Sequence, residues 1–158
     1  MSGRDGGIHA RDRDGLHAEV ADALARAGQR YSAGRRRLIE VLARAPRPLT
    51  GPEIVAAEPG LALSSVYRNL GVLEGAQIVR RLVTHEDTAK YELAESLTEH
   101  HHHLVCDECG AVFDFAAPAG LERSLTRGLE TVARATGFQP RSHALEILGR
   151  CANCAAAG

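Results

Sequence analysis

Residues 63–94 read LSSVYRNLGVLEGAQIVRRLVTHEDTAKYELA, and their periodicity changes partway along. In the first half Val66, Leu70 and Leu73 recur at helical spacing, Ser64 or Ser65 offers an N-cap, and Gly75 offers a stop. QIVRRLVT and AKYELA then form two strand-like runs around the turn-like HEDT, the pattern of a β-hairpin. A helix running directly into a hairpin completes a winged helix-turn-helix when short helices precede it, and three do. Leu16, Val20, Ala23, Leu24 and Ala27 mark the first, with Gly28 just past its end. Ser32 caps AGRRRLIEVLARA, whose Leu38, Ile39, Val41 and Leu42 face inward and which Pro46 and Pro48 close. Thr50 caps GPEIVAAE, ended by Pro59 and Gly60. In such a fold the fourth helix enters the major groove and the hairpin wing lies along the phosphate backbone.

Beyond residue 94 the character changes. LVCDECGAVFDF reads as strand, knuckle, strand. LERSLTRGLETVARATG is an amphipathic helix with Leu121, Leu125, Leu129 and Val132 as its stripe and Gly137 as its stop, and RSHALEILGRC is a last strand. The expected class is α/β (α+β): a winged helix-turn-helix domain over 16–94, a hinge at 95–99, and a small α/β domain over 100–158. The opening MSGRDGGIHARDRDG has no apolar stretch for a signal peptide and reads as a disordered arm over 1–15. Charge is split. Residues 1–90 carry 14 Lys/Arg against 11 Asp/Glu, and residues 91–158 carry 5 against 9. A basic half suited to phosphate and an acidic, ligand-rich half fit two modules. No run approaches the roughly 18 apolar residues of a membrane span, so a cytoplasmic protein with no membrane partner is expected.

The four cysteines form two C-x-x-C pairs, Cys106/Cys109 and Cys151/Cys154. Without an export signal, metal is a better account of such pairs than disulfides, and four thiolates suit a structural zinc that clamps the chain's end to the start of its domain. Four consecutive histidines precede the first pair in HHHHLVCDECG, residues 100–110. They are internal and run into a Leu-Val-Cys strand, unlike an affinity tag. If residues 100–103 are extended, His100 and His102 point to one side and His101 and His103 to the other. One short segment then serves two ions. Glu92 in the wing, His85 in its turn and Asp114 after the knuckle are candidates to join His101 and His103. Glu122 in the amphipathic helix and His143 near the last strand are candidates to join His100 and His102. Such mixed imidazole and carboxylate sets suit zinc, iron, manganese or nickel.

With these pieces in view, the chain resembles the ferric uptake regulator (Fur) family of metal-responsive repressors. RYSAGRRRLIEVL, LTGPEIV, LSSVYRNLGVLEGAQIV, KYEL, HHHHLVCDECG and HALEILGRCANC carry the likeness in order from about Leu16 to Cys154. The resemblance implies a homodimeric repressor of double-stranded operator DNA, with the α/β domain as dimerisation domain. It implies a zinc held by Cys106, Cys109, Cys151 and Cys154, a regulatory site at Glu92, His101 and His103, and a secondary site at His100, His102, Glu122 and His143. It further implies DNA contacts from Ser64, Ser65, Tyr67 and Arg68, with backbone contacts from Arg30, Arg35 and Arg36. Two positions depart from the family's usual pattern. Pro48 stands where many members have a histidine that completes the regulatory site, and no cysteine lies between wing and histidine strand, where Glu95 is found.

The expected function is repression of metal-uptake genes, with zinc as the favoured regulatory ion and the zinc uptake regulator branch as the favoured relation. Iron or peroxide sensing at an iron site is the alternative. A metallohydrolase lacks support, because no H-E-x-x-H helix is present, and the expectation is that the chain is not an enzyme. A constitutive zinc-ribbon DNA binder would leave the histidines idle.

Overall fold

The computed structural model describes residues 13–83 and 88–157. The first helix, α1 (Arg13–Arg26), begins inside the expected arm, so residues 13–15 are helical; the rest of that arm, residues 1–12, lies outside the described residues, as does His85. Next come α2 (Ala33–Arg44), capped by Ser32, a two-residue β1 (Leu49–Thr50), and α3 (Gly51–Ala57). Thr50 and Glu53 form a reciprocal capping box at the start of α3, which satisfies backbone donors the helix itself leaves unpaired. The fourth helix, α4 (Leu63–Gly75), starts earlier than the serines suggest. Its cap is Ala62 without a side-chain bond, because buried Leu61 and Val66 set the frame and leave Ser64 exposed. β2 (Val79–Val83) and β3 (Ala89–Leu93) follow as the wing, with Arg80 opposite Glu92. β1, too short to read from sequence, adds to the free side of β3 and gives the order β1-β3-β2.

One apolar core serves all of this. Its buried members run from Leu16 to Leu97 and include Leu38, Ile39, Ile54, Leu70 and Leu73. Leu97 sits in a 3-10 turn, Glu95–Leu97, within the stretch expected as a hinge, so that stretch is anchored at its centre rather than free.

The second sheet has the order β5-β4-β6, from β4 (His102–Cys106), β5 (Val112–Phe115) and β6 (Glu146–Gly149). Between β5 and β6 runs α5 (Ala119–Thr136), and α6 (Ala152–Ala157), not foreseen from sequence, closes the chain. The expected strand over 141–151 shrinks to four residues, and at its start the Leu145 N–H donates to the His102 ring rather than to a backbone carbonyl of β4. α5 buries no residue within the single chain, and its stripe does not face a core: Leu121 and Val132 are exposed, as are Leu104, Phe113, Ile147 and Leu148 on the sheet. No described helix is long and apolar enough to cross a membrane.

One glycine shapes the surface of α4. A Cβ on Gly51, at the first turn of α3, would lie 2.6 Å from the Tyr67 ring carbon Cζ. Tyr67 therefore rests on α3 backbone while remaining 45% exposed. Gly51→Ala is expected to push the ring aside and, if Tyr67 meets operator DNA as the resemblance implies, to cost about 1 kcal/mol or more of operator affinity, the scale of one lost contact, with little change in melting temperature. A gel-shift titration beside a thermal melt checks this.

Candidate metal centres

β3 is the central strand of its sheet, and both of its faces are covered. Tyr91 and Leu93 enter the apolar core, while Lys90 and Glu92, on the opposite face, are each only 9% exposed. That polar face meets the second sheet. Lys90 Nζ donates to the Gly110 carbonyl at 2.6 Å, in the cysteine knuckle, whose turn needs the left-handed backbone of Gly110 (φ 65°). Glu92 Oε2 lies 3.1 Å from His103 Nε2 and 3.3 Å from His101 Nε2. Arg80 bridges the two sheets as well, 4.0 Å from Glu92 Oε1 and 3.6 Å from Glu146 Oε1.

Register brings in the fourth member. Asp114 on β5 pairs with His103 on β4 and so shares its face, with Oδ1 3.6 Å from His103 Nε2. Glu92, His101, His103 and Asp114 thus offer donor atoms all within 4.8 Å of one another. A tetrahedron with metal–N/O bonds of about 2.0–2.1 Å has edges of about 3.3–3.4 Å, which is the scale of the observed separations. Asp114 Oδ1 is buried without a hydrogen-bond partner. His101 Nδ1 lies 2.9 Å from the Glu99 carbonyl, which can only accept, so the neutral ring carries its proton on Nδ1 and leaves the Nε2 lone pair for a cation, whereas without one a second proton on Nε2 donates to Glu92. A buried acceptor without a donor and a ring lone pair facing carboxylates fit a cation at this point.

Electrostatics agree. Burial works to raise Glu92, yet the His101 and His103 hydrogen bonds and charges override it and hold its carboxyl at about 2. The Glu92 hydrogen bond raises His101 against the opposing effect of burial, and burial raises Asp114. The signs set a window for the metal-free protein. Glu92 adds stability above its ordinary 4.5 and loses it as pH falls toward about 2. His101 adds stability below its ordinary 6.5 and loses it as pH rises through its raised folded value. The stabilisation that added metal confers is therefore expected to grow from about pH 5.5 to about pH 7.5, as protons stop competing for the ring. Thermal melts with and without metal at the two pH values test this.

The second histidine pair faces the other way. Glu122, in the first turn of α5, sets Oε1 3.1 Å from His100 Nε2 and 2.8 Å from His143 Nε2, and Oε2 3.1 Å from His102 Nε2. The His102 hydrogen bond, against burial, lowers the Glu122 pKa. Donor atoms of His100, His102, Glu122 and His143 again lie within 4.8 Å of one another.

The third group is Cys106, Cys109, Cys151 and Cys154, also within 4.8 Å. Cys109 and Cys151 sulfurs are 3.8 Å apart. A tetrahedron with metal–sulfur bonds of about 2.3 Å has edges of about 3.8 Å, so the spacing fits a tetrathiolate ion. Backbone N–H groups of Cys151 and Cys109 lower the Cys106 thiol to about 6, while the neighbouring sulfurs of Cys151 and Cys109 push Cys154 up. Four thiolates cannot crowd together without a cation to share.

A sequence profile described as the ferric uptake regulator family matches residues 26–148. The chain belongs to the ferric uptake regulator family. Among Fur relatives, it is 28% identical over 140 residues to the peroxide operon regulator of Bacillus subtilis, covering 86% of this chain and 91% of that one. It is 34% identical over 104 residues to the ferric uptake regulation protein of Campylobacter jejuni, covering 65% and 62%. The Helicobacter pylori Fur structure, for which three functional metal-binding sites are described, superposes with a TM-score of 0.73 at 26% identity, covering 93% of this chain and 96% of that one. As a Fur-family member the chain is a metal-responsive transcriptional regulator rather than an enzyme, with a winged-helix DNA-binding domain and a dimerisation domain.

On the Fur winged helix, Ser64, Tyr67 and Arg68 are exposed along α4, and Ser65 is half-buried. Arg68 donates to Ser65 Oγ at 3.3 Å. Arg30 and Arg36 are exposed, and Arg36 pairs with Glu40 at 3.6 Å. Arg35 is more occupied. It donates to Asn69 Oδ1 at 3.2 Å, to Gln29 Oε1 and to the Arg30 carbonyl, which fastens the loop before α2 to α4. Sequence reading missed Asn69, Arg80 and Lys90. The AKYEL alternation hinted at the last of these, since a lysine beside two buried positions implies a wet face, but the second sheet covers that face.

Proposed function

We propose that this chain is a homodimeric, zinc-dependent repressor of metal-uptake genes, acting on double-stranded operator DNA in the cytoplasm. The observation that carries the reading is the division of one ligand set between two sheets: Glu92 rides on the wing strand β3, whereas His101, His103 and Asp114 belong to the histidine strand and its neighbour. A bound divalent cation supplies a common positive centre for these donors. Glu92 then moves with the winged helix and the imidazoles with the dimerisation domain, so holding them at one distance fixes the angle between the two. In a dimer that angle sets the separation of the two α4 helices, which successive half-sites require to be near one helical turn, about 34 Å. The exposed apolar set Leu104, Phe113, Leu121, Ile147 and Leu148 is the surface a second copy would cover. Cys106, Cys109, Cys151 and Cys154 hold a structural zinc in this reading, Glu92, His101, His103 and Asp114 the regulatory ion, and His100, His102, Glu122 and His143 a secondary one. Ser64, Ser65, Tyr67 and Arg68 face the groove, with Arg30 and Arg36 toward phosphates and Arg35 holding α4 in place.

Zinc is favoured because the regulatory set offers four donors at tetrahedral spacing, and Pro48 adds none. An iron- or peroxide-responsive regulator is the second reading, favoured by a cavity of about 30 Å³ lined by Glu92, His101, Asp114, Thr98 and Arg47. That volume admits one water, enough to extend the coordination beyond four. Titrating zinc, ferrous iron, manganese and nickel against operator binding decides between them. Zinc is expected to saturate the response at the lowest free concentration, and a response confined to ferrous iron contradicts the zinc assignment.

A further inference from the structure

We propose that Glu95 positions His100 for ligation and thereby ties the second metal cluster to the segment joining the two domains. This inference rests on the reading of His100, His102, Glu122 and His143 as a metal site. All four of those residues lie at position 100 or beyond, so the cluster's own side chains all belong to the dimerisation domain. Glu95 provides a direct link to the DNA-binding core. It opens the 3-10 turn Glu95–Leu97, which the winged helix holds through the Ala94 N–H bond to the Ile78 carbonyl at 2.9 Å and through buried Leu97.

The chemistry lies in the ring protons. Glu95 Oε1 contacts His100 Nδ1, while Nε2 of the same ring faces Glu122 Oε1 at 3.1 Å. A neutral imidazole has one proton for these two carboxylates. Donated to Glu95 from Nδ1, that proton leaves the Nε2 lone pair aimed into the cluster, the tautomer that ligation needs. His102 is set the opposite way. The Leu145 N–H donates to its Nδ1 at 3.3 Å, so the ring proton sits on Nε2, toward Glu122 Oε2, and must leave before that atom can ligate. The cluster thus has one ring prepared and one opposed, and the prepared ring depends on Glu95. The cavity beside it is lined by Glu95, Ser96, His100, Glu122 and His143, so an incoming ion meets Glu95 and the ring it orients together.

The test uses the full-length dimer, its cysteine tetrad kept loaded with zinc, titrated with Co(II) and followed by the visible bands of imidazole–carboxylate ligation. His102→Ala assigns which transition belongs to the second cluster. Glu95 is about one-third exposed, and Glu95→Gln keeps its volume where Glu95→Ala does not. The expected result is a second-cluster affinity lowered about 10-fold or more, the scale of losing a ligand's outer partner, with Ala worse than Gln and the Glu92 cluster unmoved. Filling the second cluster is also expected to slow amide exchange over residues 94–99 in the wild type and not in Glu95→Ala. Unchanged affinity in both Glu95 variants overturns the positioning role, and unslowed exchange in the wild type overturns the link to the joining segment. If His102→Ala leaves the wild-type cobalt stoichiometry intact, the reading of the cluster as a metal site is itself wrong.

Discussion

Cys106→Ser is expected to unfold the dimerisation domain while the winged helix stays folded. The apolar core ends at Leu97, and beyond it, among the described apolar residues, only Val105, Cys106 and Val112 are buried. So small a core leaves little margin for a folded domain. On the proposed reading the cysteine tetrad binds zinc, and structural sites of this kind contribute on the order of 10–16 kcal/mol, comparable to the whole net stability of a domain, about 5–15 kcal/mol. Cys106 is also the sulfur that accepts the Cys151 N–H at 3.3 Å, so it holds the chain's end even before ligation. Serine at this position removes the thiolate and weakens that bond. The measurable result is loss of the bound zinc, loss of the dimer in sedimentation, and a remaining cooperative melt from the helical core. A variant that stays dimeric with its melting temperature unmoved contradicts the zinc clamp.

Glu92→Ala is expected to uncouple metal from DNA without unfolding either domain. Glu92 is the one carboxylate on the wing strand within reach of His101 and His103, so its loss leaves the remaining donors all on the dimerisation side. Allosteric couplings of this type are worth about 1–3 kcal/mol, or about 5- to 150-fold in affinity; the variant should lose most of that ratio and the regulatory ion with it. His103→Ala should cost about the same, and the double variant little more, because both remove one shared contact. Operator titrations of the three variants, with zinc retained in the cysteine tetrad, provide the check. Additive losses would mean that Glu92 and His103 act separately.

The alternation of an extended backbone made both histidine clusters legible in HHHH before any coordinates, and β-sheet register explains Asp114, which sits across from His103. The helices were equally open to reading, since Ser32 and Thr50 cap where their hydroxyls predict. Long-range facts were not legible. Lys90 and Arg80 look like ordinary wing residues because their partners, Gly110 and Glu146, lie 20 and 66 positions away on another sheet. The shortness of β6 was not legible either, and at its start the Leu145 N–H is taken by a side chain distant in sequence. The start of α4 was misjudged because a serine's capping propensity is weaker than the packing of Leu61 and Val66. The stripe of α5 reads as a core-facing surface, and in one chain there is no core for it to face.

Operator affinity of the wild-type dimer, measured with the cysteine tetrad loaded throughout and the Glu92 cluster either filled or stripped, tests the central claim most directly. Domain orientation set by ligands shared between two sheets predicts binding about 5- to 150-fold tighter when the cluster is filled. Equal affinity in the two states would contradict it.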